Sequence, residues 1–159
     1  MEQNYYYIII GALLFEYLLS TVSSVLNMAN INEEVPDDFK EHYNEKKYAE
    51  SQSYLKDKTR FGLFSGTFSL VITLIVIHTE IFGILDAFVR SNSNHSVIAG
   101  LIFFGILFFV NDIINLPFSI YSTFVIEEKF GFNKTTWQTF ISDKLKGYGL
   151  TIVLGTMII

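Results

Sequence analysis

The sequence is poor in charge and in proline, and it contains no cysteine. Charged residues make up 17% of its 159 residues, and there are 2 prolines and 0 cysteines. Without cysteine, neither a disulfide scaffold nor a thiolate metal site can form. The formal net charge is -5, and no basic stripe is present to meet phosphates. A nucleic-acid-binding protein is therefore excluded.

Motifs of known catalytic chemistry are missing as well. The histidines His42, His78 and His95 stand far apart, and none belongs to an HExxH motif, which places two imidazoles on one face of a helix. There is no glycine-rich phosphate loop and no GxSxG motif. The chain therefore carries no recognisable catalytic centre of its own.

Apolar residues are abundant and occur in runs. Hydrophobic residues account for 50% of the chain and aromatic residues for 16%, and the mean hydropathy is +0.37. Three runs, at about 5–26, 61–85 and 97–126, exceed the roughly 20 residues that a membrane span needs. A fourth run, from 149 to the last residue, covers only half of a bilayer. We expect an all-α, polytopic transmembrane protein, and the short fourth run makes the chain look like the N-terminal part of a longer one.

The distribution of basic residues predicts an orientation. Residues 27–60 contain six lysines and arginines and residues 127–146 contain four, which is 6 + 4 = 10 of the 11 in the chain. The positive-inside rule places both segments in the cytoplasm and the N-terminus outside. No lysine or arginine precedes the first run, so we predict a retained span and not a signal peptide.

Among the polar residues within the apolar runs, four are candidates for intramembrane roles: Glu16, Glu80, Asn111 and Asp112. An ionisable side chain within a span is a functional candidate because its exposure to lipid is costly. The alternative is that each of these side chains faces the interior of the helix bundle and bonds a neighbouring helix.

The polar segments contain further helix and turn signals. Pro36 indicates a helix start on the cytoplasmic face, before the second span. Thr135 and Gln138 have the spacing of a capping box, and a short amphipathic interfacial helix should follow. Its apolar face would carry Trp137, Phe140, Ile141 and Leu145. Pro117 should kink or end the third span, and Gly131 suits a turn with positive φ.

Three blocks of the sequence resemble the CAAX prenyl protease family. Residues 51–62 (SQSYLKDKTRFG) are similar to the segment before the second span of that family. Residues 116–136 (LPFSIYSTFVIEEKFGFNKTT) look like the signature after its third span, and residues 140–147 (FISDKLKG) fit its continuation. The resemblance extends along nearly the whole chain.

This resemblance implies a membrane-embedded zinc metalloprotease of the endoplasmic-reticulum type, or a bacterial relative in the inner membrane. Such proteases have seven membrane helices around a water-filled chamber and bind zinc through an HExxH helix and a later glutamate. They remove the last three residues of prenylated CAAX proteins. All zinc and catalytic residues would lie C-terminal to this chain, which should bind no metal and be inactive alone. Its expected partners are the lipid bilayer, the catalytic half of the same protein, and peptide or prenylated protein substrates.

The resemblance also suggests which residues have structural or chamber-lining roles. Three of them, Glu127, Asn133 and Asp143, should fix the turn after the third span against the catalytic half. The full set of candidates is Asn111, Asp112, Pro117, Tyr121, Glu127, Gly131, Asn133 and Asp143.

Two other functions stay open at this point. One is a non-catalytic membrane adaptor or chaperone that shares the fold. The other is a transporter fragment that uses Asp112 as a coupling site, which only the polarity of that residue supports.

Overall fold

The computed structural model describes residues 2–37, 40–42, 44–93 and 95–157, except for the side chains of Glu2 and Gln3. All regular secondary structure in those ranges is helical, which confirms the all-α prediction. The elements are α1 (Glu2–Ala29), α2 (Glu45–His78), α3 (Ile81–Asn92), α4 (Ser96–Tyr121), a π-helix (Ser122–Glu127) and α5 (Trp137–Met157). They form two compact units, unit 1 (Met1–Thr79) and unit 2 (Glu80–Ile159).

Among the residues described, three helical segments are long and apolar enough to cross a membrane: Asn4–Ala29, Glu45–His78 and Ser96–Glu127. At about 1.5 Å per residue, each of them exceeds a hydrocarbon core of about 30 Å. In the described part of the chain, the buried apolar side chains are only Val35, Val89, Ala99 and Ile126. The other apolar side chains are exposed or only partly buried, as they are in an integral membrane protein.

Unit 1 consists of α1, α2 and the loop between them. The Tyr17 hydroxyl and the Thr67 hydroxyl form a hydrogen bond of 2.6 Å between the two helices, and a second bond of 3.2 Å joins the Tyr6 hydroxyl to Nδ1 of His78. Asn44 caps α2 because its side-chain oxygen accepts the Lys47 N–H at 3.0 Å. The two hydrogen bonds between the helices hold α1 alongside α2.

The bounds of α2 differ from the sequence prediction. The charged segment and the apolar run form one continuous helix from Glu45 to His78, and Thr79 then adopts an extended conformation (φ -88°, ψ 152°). The apolar run predicted as a span over 61–85 is therefore divided, because its last residues belong to α3. The helix start predicted at Pro36 includes Asp38, which lies outside the described residues.

Unit 2 begins with α3, which packs against α4. The Phe82 and Phe103 rings lie 6.5 Å apart between their centroids, and Val89 and Ala99 are buried. Arg90 pairs with Asp86 one turn away at 2.8 Å, and this carboxylate raises the pKa of the guanidinium. Both partners are largely exposed, so the pair contributes little to stability.

Helix α4 does not end at Pro117. It continues to Tyr121, and the backbone then widens into the π-helix. At the junction, the Ser122 N–H is shared between the carbonyl oxygens of Phe118 and Ser119, four and three residues back. Pro117 lacks the backbone N–H that an α-helix uses, yet the helix continues past it.

Helix α5 is one element where the sequence predicted two. The expected interfacial helix and the apolar run from 149 are continuous from Trp137 to Met157. The capping hydroxyl is that of Thr136, which accepts the Thr139 N–H at 3.2 Å, so the cap lies one residue later than predicted. The backbone N–H of Thr135 is instead bound by the side chain of Asn133.

Candidate functional site

The central polar group of unit 2 is the Asp112 carboxylate, which lies midway along the apolar segment Ser96–Glu127. One of its oxygens accepts a hydrogen bond from Lys144 Nζ at 2.5 Å, and the other accepts one from the Tyr148 hydroxyl at 2.5 Å. The side chains of Lys144 and Asp112 are 28% and 20% exposed. Both carboxylate oxygens of Asp112 therefore accept hydrogen bonds from side chains of α5.

The arrangement follows from helix geometry and from the cost of isolated charge. Lys144 and Tyr148 are four residues apart, so they lie on one face of α5. The rings of Phe108 and Phe109 on α4 meet the Tyr148 ring edge-on at 6.4 and 5.5 Å. A charge in apolar surroundings is tolerated only when it is paired and hydrogen-bonded. The ion pair therefore satisfies Asp112 and closes α5 onto α4.

An open cleft of about 470 Å³ lies beside this ion pair. Helix α4, the π-helix, the following turn and α5 all contribute to its walls. It brings together three of the predicted site residues, Asp112, Glu127 and Asp143. Lys144 and two threonines, Thr123 and Thr135, complete its polar lining.

The turn between the π-helix and α5 depends on Gly131 and Asn133. Gly131 has φ +71°, which confirms the predicted positive φ. The carbonyl of Glu127 accepts the N–H groups of Phe132 and Asn133 at 2.9 and 3.2 Å. The Asn133 amide donates to the Glu128 carboxylate at 2.9 Å, and its oxygen accepts the Thr135 N–H at 2.7 Å. Asn133 thus bonds both sides of the turn.

An aromatic cluster joins the π-helix to the start of α5. The Phe124 and Trp137 rings stack with their centroids 4.0 Å apart, and Phe140 meets Phe124 edge-on at 5.6 Å. Two of the four residues on the predicted apolar face, Trp137 and Phe140, therefore make ring contacts within unit 2. Trp137 nevertheless keeps 53% of its surface exposed, and Ile141 and Leu145 are also exposed.

The remaining predicted residues lie outside the cleft. The Asn111 oxygen accepts a bond from Asn115 at 3.1 Å on the same helix, Pro117 is inside α4, and Tyr121 ends it with 47% of its surface exposed. Asp143, which does line the cleft, is also 3.5 Å from the exposed Lys146. Sequence reasoning missed Lys144 and Tyr148, whose four-residue spacing was the available signal.

Unit 1 has a polar cleft of about 500 Å³ between its loop and the start of α2, lined by Glu33, Glu34 and Lys40 among others. At its edge Lys40 pairs with Asp37 at 2.6 Å and holds the pKa of that carboxyl below its ordinary value. Both side chains are exposed, so this pair is a surface feature.

The residues present do not fit a zinc ion. Across the residues that the structure describes, no three histidine, aspartate or glutamate side chains converge as metal ligands. No step of a zinc-dependent hydrolysis can therefore be derived from these side chains.

Removal of the Lys144 charge should destabilise the protein. In Lys144→Met the Asp112 carboxylate loses its cationic partner, and we expect a loss of about 1–3 kcal/mol in the free energy of unfolding. Lys146→Met is the matched control because Lys146 is exposed, and it should change stability by less than about 0.5 kcal/mol. Thermal unfolding in detergent measures both. Equal melting temperatures for the two variants would contradict the role of the pair.

Asn133→Ala should also destabilise the protein, because it removes both side-chain bonds of the turn. We expect a loss of about 1 kcal/mol, the usual net value of a hydrogen bond. Asn133→Asp keeps the acceptor for the Thr135 N–H but loses the donor to Glu128, so its loss should be larger than that of the neighbouring control Lys134→Ala. Unchanged melting of Asn133→Ala would show that the turn does not depend on this side chain.

The comparisons with known proteins agree with one another. A family described as "CAAX prenyl protease N-terminal, five membrane helices" matches residues 24–159. Probable CAAX prenyl protease 1 of Schizosaccharomyces pombe is 34% identical over 147 residues, which covers 80% of this chain and 31% of that protein. CAAX prenyl protease 1 of Saccharomyces cerevisiae is 31% identical over 131 residues, which covers 76% of this chain and 29% of that protein.

The fold is similar to that of a solved structure. The crystal structure of S. mikatae Ste24p matches with a TM-score of 0.84 at 27% identity, over 96% of this chain and 37% of that one. The chain thus spans about a third of the length of the relatives it matches. It belongs to the CAAX prenyl protease N-terminal family and is an integral membrane domain of that type.

Proposed function

We propose that this chain is the N-terminal membrane part of a zinc-dependent CAAX prenyl protease, in which it forms part of the chamber wall and packs against the catalytic half. The observation that carries this proposal is the Ste24p match, which covers 96% of this chain but only 37% of that one. The metal and its general base would belong to the other part.

Within such a protease the contribution of this chain is structural. The ion pair of Asp112 with Lys144 fixes α5 against α4, and Asn133 holds the turn between them. The cleft beside them then presents the polar side chains Glu127 and Asp143 in a defined arrangement. Zinc, when bound by the catalytic part, would activate the attacking water.

The substrates of the intact protein would be prenylated CAAX proteins, from which the last three residues are removed. The two relatives described above are named CAAX prenyl proteases and come from yeasts. This source favours an endoplasmic-reticulum-type membrane over a bacterial inner membrane.

Zinc content and peptide cleavage test the function. The protein encoded by the full reading frame should bind one zinc ion and release the C-terminal tripeptide from a farnesylated CAAX peptide. Treatment with 1,10-phenanthroline should abolish cleavage, and added zinc should restore it. Residues 1–159 alone serve as the control and should show neither property. A folded full-length protein without zinc and without cleavage would favour the adaptor or chaperone function.

We also propose the orientation that the basic residues predict, with residues 27–60 and 127–146 in the cytoplasm. The chain contains 0 cysteines, so single cysteines can be introduced at Asn4 and Lys56 without background. In sealed membranes, an impermeant maleimide should label Asn4→Cys from the non-cytoplasmic side and Lys56→Cys only after permeabilisation. The reverse pattern would show that the orientation is inverted.

A further inference from the structure

A groove of about 300 Å³ runs between α1 and α2 in unit 1. Glu16, Tyr17 and Ser20 line it from α1, while Gly66, Ser69 and Thr73 line it from α2. On α2 these residues are three, four or seven positions apart, and on α1 Ser20 follows Glu16 by four positions and Tyr17 by three, so each set lies on one side of its helix. The groove thus follows the line along which α1 and α2 pack together.

Glu16 lies at the midpoint of the apolar segment Asn4–Ala29. An ionisable side chain at this depth is costly when it faces lipid, and in membrane proteins such side chains face a partner or a polar cavity. Among the described residues, however, the Glu16 side chain makes no hydrogen bond and no ion pair. The hydroxyl of its neighbour Tyr17 forms a hydrogen bond of 2.6 Å with the Thr67 hydroxyl, so α1 and α2 are in close contact here.

Asp112 in unit 2 has hydrogen-bond donors of the kind that Glu16 lacks. Both acids lie midway along an apolar helix. Asp112 receives hydrogen bonds from Lys144 and Tyr148. Since the same physical cost applies to Glu16, a donor from outside the described residues should satisfy it.

The surface of the groove is open at Gly66. A methyl group at Gly66 would meet no heavy atom within 4 Å, so the surface there is open. Gly62, Gly66, Ser69 and Thr73 form a row of small residues on α2. Such rows let helix backbones approach closely in lipid.

A second copy of this chain does not supply the required chemistry. Residues 5–26 and 61–77, the apolar parts of α1 and α2, contain no lysine, arginine or histidine. In a symmetric dimer, the same surface of each copy forms the interface. This arrangement would bring two Glu16 carboxyls together without a cation.

We propose that the groove binds a transmembrane helix from the part of the longer protein that this chain does not span. That helix donates a hydrogen bond to Glu16 from a basic side chain. This inference rests on the proposed function, because the relatives are about three times as long as the region matched here. It adds to that function a defined contact between the two parts.

Substitutions of Glu16 in the full-length protein test the contact. Glu16→Leu should lower the melting temperature in detergent because it leaves the donor unpaired, and Glu16→Gln should lower it less. Glu16→Lys should have the largest effect because it sets two cations together. Glu50→Leu, at an exposed carboxyl on the charged part of α2, is the control and should melt like the parent protein. If Glu16 faced lipid, Glu16→Leu would be neutral or stabilising, which would overturn the proposal.

Photo-crosslinking identifies the occupant even if a Glu16 variant fails to fold. A photoreactive amino acid at Ser69 in the groove should crosslink to an apolar peptide that follows residue 159 in the same polypeptide and contains a basic residue. The same group at Val71, which is 47% exposed and lies on another face of α2, should not reach that peptide. Crosslinks between two copies, or to lipid alone, would overturn the proposal. Zinc content and peptide cleavage of the parent protein report separately on the proposed function.

Discussion

The Asp112 carboxylate, placed midway along an apolar helix, needs partners that only another helix can supply. Lys144 and Tyr148 provide them from one face of α5, so α5 must return alongside α4. The segment between α4 and α5 makes this return possible. The π-helix leads into the turn, Gly131 permits the left-handed conformation there, and Asn133 bonds both sides of the turn. Phe124 and Trp137 then fix the first turn of α5. Unit 2 is thus organised around one charge that cannot be left in lipid.

The sequence predicted the features that depend on local chemistry. Apolar runs longer than a bilayer core indicated the membrane helices, because a continuous apolar helix satisfies its own backbone hydrogen bonds in lipid. Gly131 indicated a positive φ because glycine lacks a Cβ. The blocks at 51–62, 116–136 and 140–147 indicated the family, which the comparisons confirm. Asp112, Glu127 and Asp143 were named as candidates and do lie in one cleft, although their roles stay a prediction.

The features that the sequence did not predict depend on packing or on competition between neighbouring residues. The sequence around Pro117 does not show whether the helix ends there or continues, because a proline is compatible with both outcomes. The cap of α5 lies at Thr136 and not at Thr135 because Asn133 binds the N–H of Thr135. Lys144 and Tyr148 lie more than thirty residues from Asp112 in the sequence. The polar side chain of Lys144 was itself compatible with a solvated face of α5. Long-range pairs of this kind appear only once the helices are placed.

The length of α2 has a mechanical consequence. It is continuous from Glu45 to His78, and its 34 residues span about 51 Å at about 1.5 Å per residue. This length is well beyond the bilayer core of about 30 Å, so the charged first half continues out of the lipid as part of the same helix. Gly66 and Ser69 lie farther along that helix. A displacement of the charged half would therefore pass along α2 to the groove with no loop between them.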